Sequence, residues 1–68
     1  MLVIRNSSNQ LVQIDNYRVQ SQLTKSDFAT LYHVKDLKLE KEYILKFFDS
    51  YFRLIDYSEN LDLEELVK

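Results

Sequence analysis

The sequence predicts an α+β fold, a small three-stranded antiparallel sheet packed with one main helix and a short C-terminal helix. Three observations predict it. Two apolar stretches near the start, Leu2–Arg5 and Leu11–Gln22, flank a cluster of turn-forming polar side chains, Asn6-Ser7-Ser8-Asn9. The stretch LTKSDFATLYHV, Leu23–Val34, opens like a capped helix. The stretch EYILKFF, Glu42–Phe48, is rich in strand-favouring Tyr, Ile and Phe.

Gly and Pro are absent from all 68 residues, so polar clusters have to mark the turns. Leu2–Arg5 is the first strand and Leu11–Gln22 the second, antiparallel to it. Within the second, Val12 and Ile14 share one parity while Tyr17 and Val19 take the other. The switch at Asp15-Asn16 predicts a bulge or a bend. Thr24, followed three residues later by Asp27, resembles a capping box, which starts a helix at about Lys25; a cap at Ser26 would start it two residues later. On that helix Phe28 and Tyr32 form one stripe and Leu31 and Val34 another.

Glu42–Phe48 reads as the third strand, although Tyr43, Phe47, Tyr51, Leu54 and Ile55 also fit one helical face. Asn60 then caps a short helix carrying Leu63, Leu66 and Val67. Residues 1–68 are expected to form one domain, with 58–68 as an acidic helical tail.

Such a short chain draws only about 3 to 5 kcal/mol from its core. It has no Cys, so neither disulfides nor a thiolate metal site can add to that. Self-association is the remaining support, and a homodimer is the expectation. No window approaches the roughly 18 apolar residues of a membrane span, and Met1 is not followed by a signal-peptide pattern. A cytoplasmic protein is expected, with no membrane partner.

The formal charge is −2 and unevenly spread. Residues 1–34 carry Arg5, Arg18 and Lys25 against Asp15 and Asp27, whereas 35–68 carry six Lys or Arg against nine Asp or Glu. The acid gathers at the end, in Asp56, Glu59, Asp62, Glu64 and Glu65, which argues against direct nucleic-acid binding. Its plain reading is a solvated terminal helix.

Enzyme chemistry finds few candidates. The single histidine, His33, has Asp36 as its close acidic neighbour in sequence. A lone His near a helix end is more often a surface or capping residue than a catalyst. No carboxylate spacing matches a metal loop, and no glycine loop exists to cradle phosphate. No catalytic residue, metal or cofactor is therefore expected, and the chain reads as a binder.

Three resemblances meet on Leu23–Val34. Leu-Thr, three polar residues, an apolar-Ala pair and Val34 past a turn at His33 look like the start of a helix-turn-helix, which implies a phage or plasmid DNA-binding regulator with a recognition helix from about Leu37. Lys38 and Lys41 on that helix are offset by Glu40 and Glu42, which weakens phosphate attraction.

Residues 16–49 resemble the N-terminal lobe of protein kinases. Leu23, Phe28, Ala29, Leu31 and Tyr32 fall at the phosphate loop and second strand, and Ile44-Leu45-Lys46 at the nucleotide-binding lysine, with matching spacing from Tyr32 to Lys46. Thr24 and Ser26 stand in place of loop glycines, so this resemblance implies a noncatalytic half-lobe used for protein interaction.

Residues 11–34 resemble the small uracil-DNA glycosylase inhibitor family of protein-primed Bacillus phages, through Leu23-Thr24-Lys25-Ser26-Asp27-Phe28, then Leu31-Tyr32, and backwards to Tyr17. This resemblance supplies the working expectation. It implies a homodimeric, DNA-mimicking stoichiometric inhibitor in the host cytoplasm, occupying the DNA-binding cleft of the host glycosylase. Phe28 and Tyr32 would enclose the enzyme's DNA-inserting leucine, with Tyr17 on the preceding strand. Asp27, Asp15 and Asp36 would supply the mimicking charge. The chain departs from the family in its near-neutral charge, in Asn6–Asn9 where the family has an acid-rich turn, and in Arg18 where it has an acid. Against all three, Phe28, Leu31 and Tyr32 at helical spacing also suit a plain core helix.

Overall fold

The computed structural model describes residues 1–58 and 62–66. Six strands follow one another in chain order as a single antiparallel meander: β1 (Val3–Arg5), β2 (Leu11–Ile14), β3 (Tyr17–Lys25), β4 (Thr30–Asp36), β5 (Glu42–Phe47) and β6 (Phe52–Asp56). One short helix, α1 (Leu63–Leu66), comes after them. The expected three-stranded sheet with a main helix is therefore corrected to a six-stranded sheet with one helical turn.

The main helix from Lys25 is replaced by a β-hairpin. Lys25 pairs with Thr30, Tyr32 with Gln22, and Val34 with Val19. Along its other edge β4 pairs with β5 through six successive residues, from Thr30 opposite Phe47 to Lys35 opposite Glu42. A segment flanked on both sides by β-favouring partners gains two ladders and buries both of its faces, which outweighs a capping pattern worth about 1 kcal/mol. Residues four apart share a face in a strand as well as in a helix, so Phe28 and Tyr32 did not discriminate. The recognition helix implied by the helix-turn-helix resemblance is likewise absent, since Leu37–Leu39 form the turn between β4 and β5.

Leu11–Gln22 is two strands. Asp15 and Asn16 reverse the chain, and Ile14 lies opposite Tyr17. Residues facing each other across a two-residue turn share a sheet face, which is why the parity switches there. Asp15 takes φ 50°, and Asn9, Glu40 and Asp49 occupy similar left-handed positions in three other turns. In a chain without glycine, Asn and Asp fill three of the four such places, as their tolerance of this region allows. A register shift between β1 and β2 leaves Val12 unpaired, and so turns Leu11 and Ile14 to the same side.

Glu42–Phe48 is borne out as a strand, ending at Phe47, and the helical alternative for 43–55 gives way to the β5–β6 hairpin. At the C-terminus, the Oδ1 atom of Asp62 accepts the Glu64 amide at 3.1 Å, so Asp62 caps the single turn of α1. The expected cap Asn60, and Val67, lie outside the described residues. Among the described residues no helix is long and apolar enough to cross a membrane.

One face of the sheet carries Leu11, Ile14, Tyr32, Val34, Leu45 and Phe47, buried together, with Tyr17, Val19, Tyr43, Phe52 and Leu54 packed against them. Tyr17 on β3 meets Phe52 on β6 with ring centroids 5.8 Å apart, and Tyr43 on β5 at 6.1 Å. In a flat sheet β3 and β6 would be about 14 Å apart, three spacings of about 4.8 Å. The sheet therefore curls around this inner face, and Tyr17 closes the curl. On the outer face Leu31 and Ile44 are also buried, at 0% and 1% exposure. There the Tyr57 ring, beyond the end of β6, stacks on His33 of β4 at 4.2 Å, spanning β5.

Candidate functional site

The meander places three connections at one end of the sheet, Asn6–Gln10, Ser26–Ala29 and Phe48–Tyr51, and the Asp15-Asn16 and Leu37–Lys41 turns at the other. The first end holds the two most exposed aromatic side chains, Phe28 and Tyr51.

Its centre is the β3–β4 loop. The Oγ atom of Ser26 accepts the amides of Phe28 at 3.1 Å and Ala29 at 3.2 Å, while the Ser26 amide donates to the Ala29 carbonyl at 2.9 Å. A hydroxyl satisfying the amides two and three residues on is the same local chemistry that caps helices. Here it closes a turn instead. Ala29 is buried beneath, and Phe28 projects outward, 75% exposed.

Beside Phe28 runs an open groove of about 400 Å³. Arg5, Lys25, Phe48 and Asp49 line it, with Tyr32 and Phe47 at its floor. In the β5–β6 turn the Phe48 and Tyr51 rings stack at 4.5 Å and 9°. The Lys46 ammonium sits 5.1 Å from the centre of the Phe48 ring, in cation–π range. Asp49 at φ 78° and the Phe48 amide donating to the Tyr51 carbonyl at 2.8 Å hold that turn.

The six residues singled out from the sequence do not form one surface. Phe28 and Asp27 are exposed together on the loop, whereas Tyr32 is 8% exposed within the core. Tyr17, Asp15 and Asp36 lie at the opposite end of the β3–β4 hairpin from its loop, where Tyr17 pairs with Asp36, whereas Lys25 pairs with Thr30 at the loop end. Tyr17 is half-buried in the aromatic contact that closes the sheet. Its phenol is raised above the ordinary value, first by burial and then by the negative charges of Asp36, Tyr43 and Asp15. The Oδ1 atom of Asp15 accepts the Leu2 amide at 2.8 Å, and its own amide donates to the Leu2 carbonyl, fastening the N-terminus.

Asp36 is buried at the mouth of the β4–β5 turn. Its Oδ1 atom accepts the amides of Lys38 at 2.8 Å and Leu39 at 3.2 Å and the side-chain amide of Asn16 at 3.0 Å. Burial alone raises its carboxyl. The Lys38 and Leu39 amides, the Asn16 amide and the Lys38 charge outweigh that and hold it below the ordinary value. This is the work of a carboxylate that joins two turns, and a buried oxygen already accepting three donors offers little charge to a partner.

The sequence marked Ser26 as an alternative helix cap and as the residue in place of a loop glycine, Asn16 as part of a bulge or bend, Phe48 as a strand end and Tyr51 as part of a helical face, and gave none of them a place among the site residues. The sequence signal for Ser26 was present, since a hydroxyl before two residues of a tight connection is also a turn signature. The pairing of Phe48 with Tyr51 depends on the β5–β6 reversal and carried no local mark.

His33 Nε2 lies 2.8 Å from Glu42 Oε1 on the outer face. On the same face Leu31 pairs with Lys46, and His33 with Ile44. No protein-family model matches the chain, and neither the curated proteins nor the solved structures include a significant match.

Proposed function

We propose that this chain is a noncatalytic interaction domain built on the plan of a protein-kinase N-terminal lobe. The support is local. Residues 17–47 run strand, loop, strand, turn, strand, the order implied for a phosphate loop followed by the lysine-bearing strand. Lys46 sits on β5 directly across from Leu31 of β4, so the residues that match the second strand and the lysine are neighbours on one face.

The observation that carries the reading is the occupancy of the loop amides. A phosphate loop works by presenting free backbone N–H groups to the ligand's oxygens, and glycines let the backbone approach. Here the Phe28 and Ala29 amides are taken by Ser26 Oγ, a side chain standing where the resemblance puts a glycine. The loop satisfies itself, and what it presents outward is Phe28. An exposed aromatic beside a mixed-charge groove suits a protein partner, whose hot spots are built around such anchors.

Inhibition of uracil-DNA glycosylase, the working expectation, retains Phe28 and Asp27 at the surface but would have to act without Tyr32. Asp15 and Asp36 would face a different direction from Asp27. The kinase-like reading uses the observed hairpin as it stands, and we place it first.

The test is thermal unfolding with and without Mg–ATP, on the natural chain and on a Thr24→Gly/Ser26→Gly variant shown to be folded by circular dichroism. The natural chain should show no shift, and the variant should gain ATP-dependent stabilisation. Comparable stabilisation of the natural chain, or none in the folded variant, contradicts the proposal.

A further inference from the structure

The two edges of the sheet, β1 and β6, differ in their side chains. The β6 edge is guarded: Arg53 and Asp56 are exposed along it, and Lys41 Nζ reaches Asp56 Oδ1 at 3.5 Å. Charged side chains on an edge strand are a common defence against pairing with another chain. The β1 edge has no such defence over Met1–Ile4, whose four apolar side chains are all exposed.

The backbone of β1 is also poised. Leu2 pairs with Asp15 through the Asp15 amide to the Leu2 carbonyl, and Ile4 lies opposite Gln13. Antiparallel alternation then turns the N–H and C=O groups of Val3 and Arg5 away from β2, towards the open edge. We propose that a second copy of this chain covers that edge, β1 pairing antiparallel with β1 about a two-fold axis at Ile4.

Register and charge select this arrangement. Centred on Ile4, Val3 of one chain faces Arg5 of the other, and each such pair exchanges two backbone hydrogen bonds. A two-fold at Arg5 would set two guanidinium groups opposite each other, which like-charge pairing disfavours. Pairing β1 with β6 of another copy would be head-to-tail and would not close, and the charged β6 edge opposes it. The two-fold pair closes, joins two six-stranded sheets into one of twelve, and supplies the support that a 68-residue chain without Cys lacks. Pairing over a three-residue strand buries less than the roughly 800 Å² per partner of a standard interface, so the association depends on concentration.

Two measurements test it. In sedimentation the natural chain should move from one chain's mass, 8.2 kDa, towards that of two as concentration rises, and Ile4→Lys should remain monomeric while folded. In the second, Ile4→Cys places a single thiol in a chain with none. Residues facing each other at a non-hydrogen-bonded position have Cα atoms about 4.5 Å apart, within disulfide reach. Oxidation should link Ile4→Cys chains in pairs and leave Arg53→Cys, exposed on β6 at the opposite edge of the sheet, unlinked. A monomer at every concentration up to roughly 1 mM, a folded Ile4→Lys that still dimerises, or equal linking at both positions overturns the proposal.

Discussion

Asn16 donates its side-chain amide to Asp36 Oδ1 at 3.0 Å, fastening the turn before β3 to the turn after β4. With the Lys38 and Leu39 amides on the same oxygen, this is a carboxylate that folding favours in its ionised form. Its carboxyl is held below the ordinary 3.8 in the folded chain. The contribution is therefore complete above the unfolded value and is lost as pH falls through the lower, folded one. Between pH 7 and pH 3 the urea midpoint of the natural chain should fall, and that of Asp36→Asn should start lower and fall less. Parallel curves would remove Asp36 from this role.

Phe28 and Leu45 should separate cleanly in stability. Leu45 has no exposed surface and sits in the middle of the inner face, so Leu45→Ala should cost about 2 to 5 kcal/mol by urea unfolding. Phe28→Ala should stay within about 0.5 kcal/mol, as expected of a surface position. A large loss at Phe28 would return that residue to the core.

The β5–β6 turn depends on Asp49 at φ 78°. Glycine reaches that region without steric cost, whereas a β-branched residue there costs roughly 1 to 2 kcal/mol. Asp49→Gly should unfold at or above the natural chain's temperature and Asp49→Val below it. The reverse order would mean that the Asp side chain, not the backbone, sustains the turn.

The sequence showed the Asn6–Asn9 turn and the strand at Glu42–Phe48 because both are marked locally, one by polar turn formers and the other by an aromatic and β-branched run. It showed that something changes at Asp15-Asn16, and parity alone does not distinguish a bulge from a two-residue reversal. Leu23–Val34 misled for two reasons. Phe28 and Tyr32 are four apart, a spacing common to both periodicities, and Ser26 caps a turn with the same hydrogen bonds that cap a helix. What decided the matter was β5, whose pairing with β4 is a non-local fact. For the same reason the sequence named Phe28 and Asp27 but could not separate them from Tyr32, Tyr17, Asp15 and Asp36, which the sheet carries into the core and to its far end.

Ser26 closes the β3–β4 loop by holding the Phe28 and Ala29 amides, the groups that, on the proposed reading, a phosphate loop would offer. Amide hydrogen exchange at Phe28 and Ala29, followed by NMR in the natural chain and in Ser26→Gly with and without Mg–ATP, tests it most directly. Both amides should be protected in the natural chain whether or not nucleotide is present, exposed in Ser26→Gly, and protected again there when Mg–ATP is added. Unprotected amides in the natural chain, or amides in Ser26→Gly that nucleotide leaves unchanged, would contradict it.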